Sequence, residues 1–177
     1  MTKEEKERQI EDMSRVNRIL SHPYYQQCLA KNRKAEEGRI FCGHDMVHFL
    51  DVARIAYIFS MERKLEIPKE WIYAAALLHD IGRWQQYESG IPHDEASAEI
   101  AETILAEADF TKEERRMICA AILGHRGDGK FDQLHDEAKN LAQILYDADK
   151  ASRCCFACDA ESECDWSREK KNLQVMV

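Results

Sequence analysis

Three prolines and seven glycines in 177 residues leave little to break the chain. Apolar residues recur at helical spacing, and no stretch shows the strict alternation of a half-buried strand. No run of 18 apolar residues exists, which excludes a transmembrane helix. The N-terminus, MTKEEKERQIEDMSRVNRIL, is charged and amphipathic without a signal-peptide core, so the cytoplasm is the expected location. Positive charge is scarce: 25 Lys and Arg stand against 33 Asp and Glu, a net charge of −8. That balance excludes general nucleic-acid coating, which needs a basic surface. A small anionic substrate stays compatible where metals and arginines reverse the field locally. Internal repeats and low-complexity segments are absent. What is present, 45% hydrophobic and 33% charged residues, fits one globular domain with a real core.

The expected fold class is all-α, a single-domain helical bundle. A first helix is expected over about 3–20 and a second from Pro23 to about Lys34, since proline suits a first helical turn. Residues 35–43 read as a loop. A helix over about 45–64 carries Val47, Leu50, Ile55, Ile58 and Phe59. Pro68 opens the next helix, and Gly82 is expected just past its end in left-handed geometry. Residues 83–92 read as a loop, followed by a helix over about 94–107. Thr111 and Glu114 have capping-box spacing at the start of a helix ending near Gly124. A polar loop over 126–136 and a helix over about 137–153 complete the bundle. The chain divides into an N-terminal helical segment (1–34) packing on its own bundle, a core (35–153) and a cysteine-rich tail (154–177).

The adjacent His79-Asp80 pair ends the apolar stretch WIYAAALLHDIGRW. His48 lies upstream; His93, His125 and Asp149 lie downstream, each at the edge of an apolar stretch. His48 shares a helical face with Val52, His79 with Ile72 and Ala76, His125 with Ile118 and Ile122, and Asp149 with Leu145 and Ala142. A carboxylate aimed at a core is costly unless it is paired or bound to metal. Neutral imidazole and carboxylate together suit zinc, iron, manganese and related divalent metals. His44 lies four residues before His48 and is a rival ligand, read as a supporting residue or an N-terminal cap. Asp147 rivals Asp149. His22 and His135 read as surface histidines.

The ordered segments HFLDVARIA, ALLHDIGR, PHDEASAEIAETIL, AAILGHR and YDADKASR resemble the HD-domain superfamily of metal-dependent phosphohydrolases over about residues 40–153. The resemblance implies that His48, His79, Asp80 and Asp149 hold a first metal. It further implies that Asp80 bridges to a second metal on His93 and His125, and it favours Asp149 over Asp147. One or two ions of iron, manganese, zinc, nickel or cobalt fit these ligands. Such ions lower the pKa of a bound water and polarise a phosphoryl oxygen. Asp80, Arg83, Arg126 and Lys150 are the candidate catalytic residues, with Arg39 a further cation beside the first ligand helix. Trp84 and Tyr87 are candidates either to stack on a base or to cover the bundle edge. The implied activity is hydrolysis of a nucleotide or another small phosphate ester, so the expected partner is a small phosphate-containing anion. The same ligand pattern resembles a minority of the family that uses diiron to cleave C–C or C–P bonds. A non-catalytic nucleotide or redox sensor is the third reading.

Of seven cysteines, Cys28, Cys42 and Cys119 are scattered, whereas Cys154, Cys155, Cys158 and Cys164 crowd the tail. In a cytosolic chain such clustering points to metal or redox chemistry before structural disulfides. A separate zinc or iron–sulfur site is one reading; reduced cysteines packing a cap with Trp166 as plug is the other.

Overall fold

Thr2 and Glu5 form a capping box that starts α1 (Lys3–Glu11). The computed structural model describes residues 1–126 and 136–177. Within them follow α2 (Ser14–Ser21), α3 (Pro23–Ala35), α4 (Met46–Glu62), α5 (Lys69–Leu78), α6 (Arg83–Ser89), α7 (His93–Glu107), α8 (Lys112–Gly124) and α9 (Asp136–Ala151). Beyond α9 come only single-turn 3-10 segments at Cys155–Ala157, Glu161–Glu163 and Arg168–Lys170. The described residues contain no strand, and the fold is all-α. Most of the expected loop over 126–136, His135 included, lies outside the described residues.

The centre of the bundle is α5. Ile72, Ala74, Ala75, Ala76, Leu77 and Leu78 are all fully buried, so beyond its charged first turn this helix is apolar nearly all round. Its three alanines let neighbouring backbones approach closely, and α4, α7, α8 and α9 surround it. Phe49 and Val52 from α4, Ile104 and Leu105 from α7, Ile118 and Ile122 from α8, and Ile144 and Leu145 from α9 complete the core. Each large aliphatic side chain so buried contributes about 1.5–3 kcal/mol. Val16, Ile19, Tyr25 and Leu29 of α2 and α3 belong to the same core. Arg15 anchors α2 further: its Nε donates to Glu70 Oε2 (2.8 Å) and its Nη1 to Glu114 Oε1 (2.9 Å).

Three expectations are corrected. The helix over 3–20 is two helices, broken at Met13 (φ −117°, ψ 20°). None of the described α1 side chains is buried, whereas α2 buries Val16 and Ile19. The break lets α2 turn its apolar stripe inward without dragging the charged α1 along. The loop expected over 83–92 contains α6, a short helix that buries no side chain and therefore has no apolar period to read. Gly82 is not left-handed: its φ is −90° and ψ 6°. It is needed for space, because a Cβ there would lie 2.6 Å from Ser97 N and 2.7 Å from Ala96 C. Left-handed geometry falls instead on Gly90 (φ 72°), which closes α6.

Asn32, fully buried on α3, locks the α5–α6 turn. Its Nδ2 donates to the Asp80 carbonyl (2.9 Å), and its Oδ1 accepts the Trp84 N–H (2.8 Å). Asn32→Ala leaves the Trp84 N–H unpaired and the Asp80 carbonyl with only the Arg83 N–H (3.1 Å), and is expected to cost about 1–3 kcal/mol. Urea denaturation measures it; an unchanged midpoint would show that the turn holds without Asn32.

Candidate metal centre

Six polar side chains from five helices meet at one end of α5. The Asp45 carboxylate caps α4, accepting the N–H of Val47 (2.9 Å) and of His48 (3.1 Å), and so fixes the turn that carries His48. His79 is the C-cap of α5, and Asp80 follows in the Asn32-locked turn. His93 is the first residue of α7, His125 the C-cap of α8, and Asp149 lies in the last turn of α9. Helix ends bring these groups together because a terminus can meet a neighbouring terminus without burying a second polar stripe.

The imidazoles share one orientation. His79 Nδ1 lies 2.7 Å from the Ala76 carbonyl, His125 Nδ1 2.5 Å from the Ile122 carbonyl, and His93 Nδ1 2.6 Å from Gln86 Oε1. Each of these partners is an acceptor, so each Nδ1 carries the proton and each Nε2 presents a lone pair to the centre. The Nε2 atoms of His48 and His79 are buried and have no hydrogen-bond partner. Buried orphans of this kind call for an explanation, and a metal ion supplies it. Burial pushes the His79 imidazole down to about 3 and that of His93 down to about 4; His48 moves the same way for the same reason. Neutral rings are the ligand form.

The ligand atoms form two groups. His48, His79, Asp80 and Asp149 have atoms all within 4.8 Å of one another, and so do Asp80, His93 and His125. Asp80 belongs to both, with its oxygens divided. Oδ2 lies 3.4 Å from His79 Nε2, whereas Oδ1 lies 3.3 Å from His93 Nε2 and 3.9 Å from His125 Nε2. His48 Nε2 is 3.6 Å from Asp149 Oδ1. These gaps of 3.3–3.9 Å are longer than the roughly 2.7–3.2 Å of well-formed hydrogen bonds. They approach the roughly 3–3.5 Å that separates two ligands of one ion with bonds near 2.1 Å. Burial resists ionisation of Asp80, but His79, Arg83, His44 and His93 together hold its carboxyl well below the usual range. Asp149 is held at about 2, with burial opposed by His79 and Lys150.

The site faces a cavity of about 810 Å³ whose lining includes Arg39, Arg83, Arg126, Lys150, Arg153 and Lys171. Arg83 Nη1 lies 3.3 Å from Asp80 Oδ1, and Lys150 Nζ 2.6 Å from Asp149 Oδ2. Arg126 pairs with the buried Asp94 at 3.3 Å. Arg39 is anchored to the Cys42 carbonyl at 2.8 Å. Asp147 turns away to Arg63 (2.7 Å), which separates it from Asp149. His22 caps α3 and meets Glu107 (3.0 Å), far from this centre in the chain's connections. Neither Trp84 nor Tyr87 lines the cavity. Trp84 covers the bundle edge under Lys31, whose Nζ sits 3.7 Å from the ring centroid.

His44 is not the N-cap; Asp45 is. Instead its Nε2 lies 3.6 Å from Asp80 Oδ2 and its Nδ1 2.5 Å from Glu36 Oε1. Glu36 also accepts the Tyr87 hydroxyl (2.8 Å) and the His44 N–H (2.8 Å). Burial raises the Glu36 carboxyl, but the bonds from His44 outweigh it and bring it to about 2. Sequence reading missed Glu36, Arg153 and Asn32. Glu36 stands in an irregular stretch with no period. Arg153 carried one unused signal, its position four residues after Asp149 on the same helical face.

The depressed histidines make the metal-free protein sensitive to mild acid. Folded His79 and His93 titrate near 3 and 4, below the ordinary 6.5. The unfolded chain therefore binds more protons between those values, and stability is lost as pH falls below about 6.5. The slope is up to about 1.4 kcal/mol per pH unit for each histidine. Asp80 and Asp149, held below 3.8, add a second loss only under about pH 4. Thermal melts of chelator-treated protein from pH 7.5 to 4.5 should show a falling Tm; a flat profile would contradict the neutral-ring assignment.

Comparison with known proteins agrees with this architecture. The HD domain family profile matches residues 46–154. An uncharacterized protein of Clostridium beijerinckii is 44% identical over 163 residues, which is 92% of this chain and 99% of its own length. A predicted HD superfamily hydrolase from an uncultured Thermotogales bacterium superposes with a TM-score of 0.58 at 23% identity, over 89% of this chain and 87% of that one. That likeness is one of fold.

Proposed function

Because the chain belongs to the HD-domain family, we propose that it is a metal-dependent phosphohydrolase acting on a nucleotide or another small phosphate ester. The observation that carries this reading is the division of the Asp80 oxygens between two ligand groups, in a cavity whose lining brings Arg83 and Lys150 beside the ligand carboxylates. A cavity of about 810 Å³ suits a small molecule of nucleotide size. Six basic side chains line it beside six acidic ones, and two of those acids, Asp80 and Asp149, would be taken up as metal ligands, so the loaded site would favour an anionic ligand.

His48, His79, Asp80 and Asp149 would hold one ion, and Asp80, His93 and His125 a second. Bound divalent ions at such ligands supply Lewis-acid polarisation of a phosphoryl oxygen and an acidified water. The chain's own side chains do the rest. Arg83 and Lys150, each next to a ligand carboxylate, orient phosphate oxygens, and Arg39 and Arg126 widen the cationic rim. His44, held by Glu36, places Nε2 where a proton can move to or from the reacting group. Tyr87 fixes both Glu36 and Arg83 by hydrogen bonds.

The test uses protein purified without a metal-affinity tag, stripped and reloaded separately with manganese, iron, zinc, nickel or cobalt. Nucleoside phosphates and simple phosphate esters are then screened for phosphate release with and without oxygen. Metal-dependent release that is indifferent to oxygen is expected. Turnover that needs oxygen and spares phosphate esters would move the chain to the diiron oxygenases of this fold, and metal-free binding of a nucleotide without turnover would make it a sensor.

A further inference from the structure

We propose that Cys42, Cys155, Cys158 and Cys164 form a thiolate-ligated metal centre, separate from the one at Asp80, that pins the C-terminal tail over the mouth of the cavity. The tail has almost nothing else to hold it. After α9 its only buried hydrophobic residue is Ala160, while Phe156, Trp166 and Leu173 are 48%, 41% and 36% exposed. Its regular structure is three single turns. All seven cysteines are free thiols, so no disulfide closes it. Short segments without a core of their own need a staple, and clustered thiols are the ligands for one.

The tail nevertheless follows a defined path. Asn172 Nδ2 donates to the carbonyls of Lys150 (2.6 Å) and Arg153 (3.1 Å), and the Phe156 N–H donates to the Asn172 carbonyl (3.0 Å). This folds the chain back onto the end of α9. Cys155 and Cys158 lie on one tight turn, with the Cys158 N–H donating to the Cys155 carbonyl at 3.3 Å. Cys164 closes the next turn. All three thiol residues line the same cavity as Cys42, which arrives from the loop between α3 and α4.

Cys42 is the ligand that the sequence pattern does not offer. Burial raises its thiol, and the neighbouring Cys155 thiol raises it further, with Cys158 adding to the effect; like groups that repel one another's ionisation are groups a cation would gather. Cys154 drops out of the set expected from sequence. Its Sγ is turned to the Ser152 carbonyl at 3.8 Å, and it is not among the thiols that act on Cys42. Cationic help is in place as well. Arg153, 3.6 Å from Asp149, also lies near Cys42 and Cys155, and Lys171, 2.8 Å from Glu161 Oε1, also lies near Cys164 and Cys155. Four thiolates around one divalent ion carry excess negative charge, which these two side chains offset. Among the described residues the groups whose ligand atoms lie within 4.8 Å of one another are the two at Asp80, and neither includes a cysteine. Zinc would therefore require these thiols to rotate inward, whereas an iron–sulfur cluster takes more widely spaced ligands.

The experiment uses the full chain, produced anaerobically without an affinity tag, as Asp80→Ala and as Asp80→Ala combined with Cys42→Ser, Cys155→Ser or Cys154→Ser. Elemental analysis, acid-labile sulfide and visible absorption are read, with circular dichroism to show that the helices persist. Asp80→Ala should retain about one zinc per chain, or iron with sulfide. Cys42→Ser and Cys155→Ser should each lose it, and Cys154→Ser should keep it. Metal retained without Cys42, or no thiol-bound metal in any protein, overturns the proposal. Should a variant fail to fold, wild type decides: four thiols should resist a thiol reagent until metal is withdrawn, and immediate reaction of these four overturns the centre. The proposal does not rest on the phosphohydrolase reading, since failure of that reading would leave the cysteine arms unchanged.

Discussion

Asp80→Ala is expected to empty both histidine–carboxylate groups and to lower turnover at least about 10³-fold while the helices remain intact. The magnitude follows from position. Asp80 is the one residue that belongs to both groups, and each of its oxygens faces a different set of imidazoles. Removing it takes a ligand from each ion and the principal negative charge from a pocket that also holds Arg83. The backbone does not depend on the lost carboxylate, because Asn32 holds the turn through the Asp80 carbonyl. Metal analysis of wild type and mutant side by side, with circular dichroism, separates loss of metal from loss of fold. His93→Ala is the partner experiment: it touches one group only, so about half of the histidine-bound metal should survive. Full metal in both mutants would end the two-group assignment.

Gly82→Ala is expected to destabilise the protein by about 3 kcal/mol or more and to release metal at the same time. The added methyl would meet Ser97 N at 2.6 Å and Ala96 C at 2.7 Å. Both are backbone atoms of α7, which cannot rotate aside as a side-chain tip does. The turn and α7 must separate, breaking the Gly82 N–H bond to Ser97 Oγ (2.9 Å). Asp80 lies two residues away on that turn and His93 opens α7, so the separation pulls apart ligands from both sides of the centre. Gly90→Ala is the control. Its Cβ meets nothing within 4 Å, and its cost is the left-handed φ of +72° alone, about 1–2 kcal/mol. Chemical denaturation with metal analysis reads both. Equal losses for the two glycines would show that backbone strain, not collision, governs Gly82.

The long helices were legible because each advertises a period or a cap. The Thr111–Glu114 spacing stands as a real capping box, with Thr111 N–H to Glu114 Oε2 at 2.7 Å. α6 was illegible because neighbours hold it: Trp84 N–H goes to Asn32, and Gln86 Oε1 accepts the His93 N–H. Gly82 was legible as a necessary glycine, but a sequence does not distinguish a need for positive φ from a need for space. At the centre, helical stripes brought His48, His79, His125 and Asp149 to one side, and resemblance chose Asp149 over Asp147; the Arg63 pairing of Asp147 gives the physical reason. Glu36 acts on Asp80 through His44 and through Tyr87 and Arg83, across a loop, and no local rule joins residues so placed.

The five helices that supply ligands, α4, α5, α7, α8 and α9, are the same helices that enclose the core. Ions bound there would cross-link the whole bundle, and their binding energy becomes part of its folding energy. The population of unfolded chains would then fall as free metal rises, roughly in proportion to it for each site that is mostly filled. Proteases act on that unfolded population, so the lifetime of the protein in a cell becomes a gauge of metal supply, with no sensor domain and no change in the folded structure required.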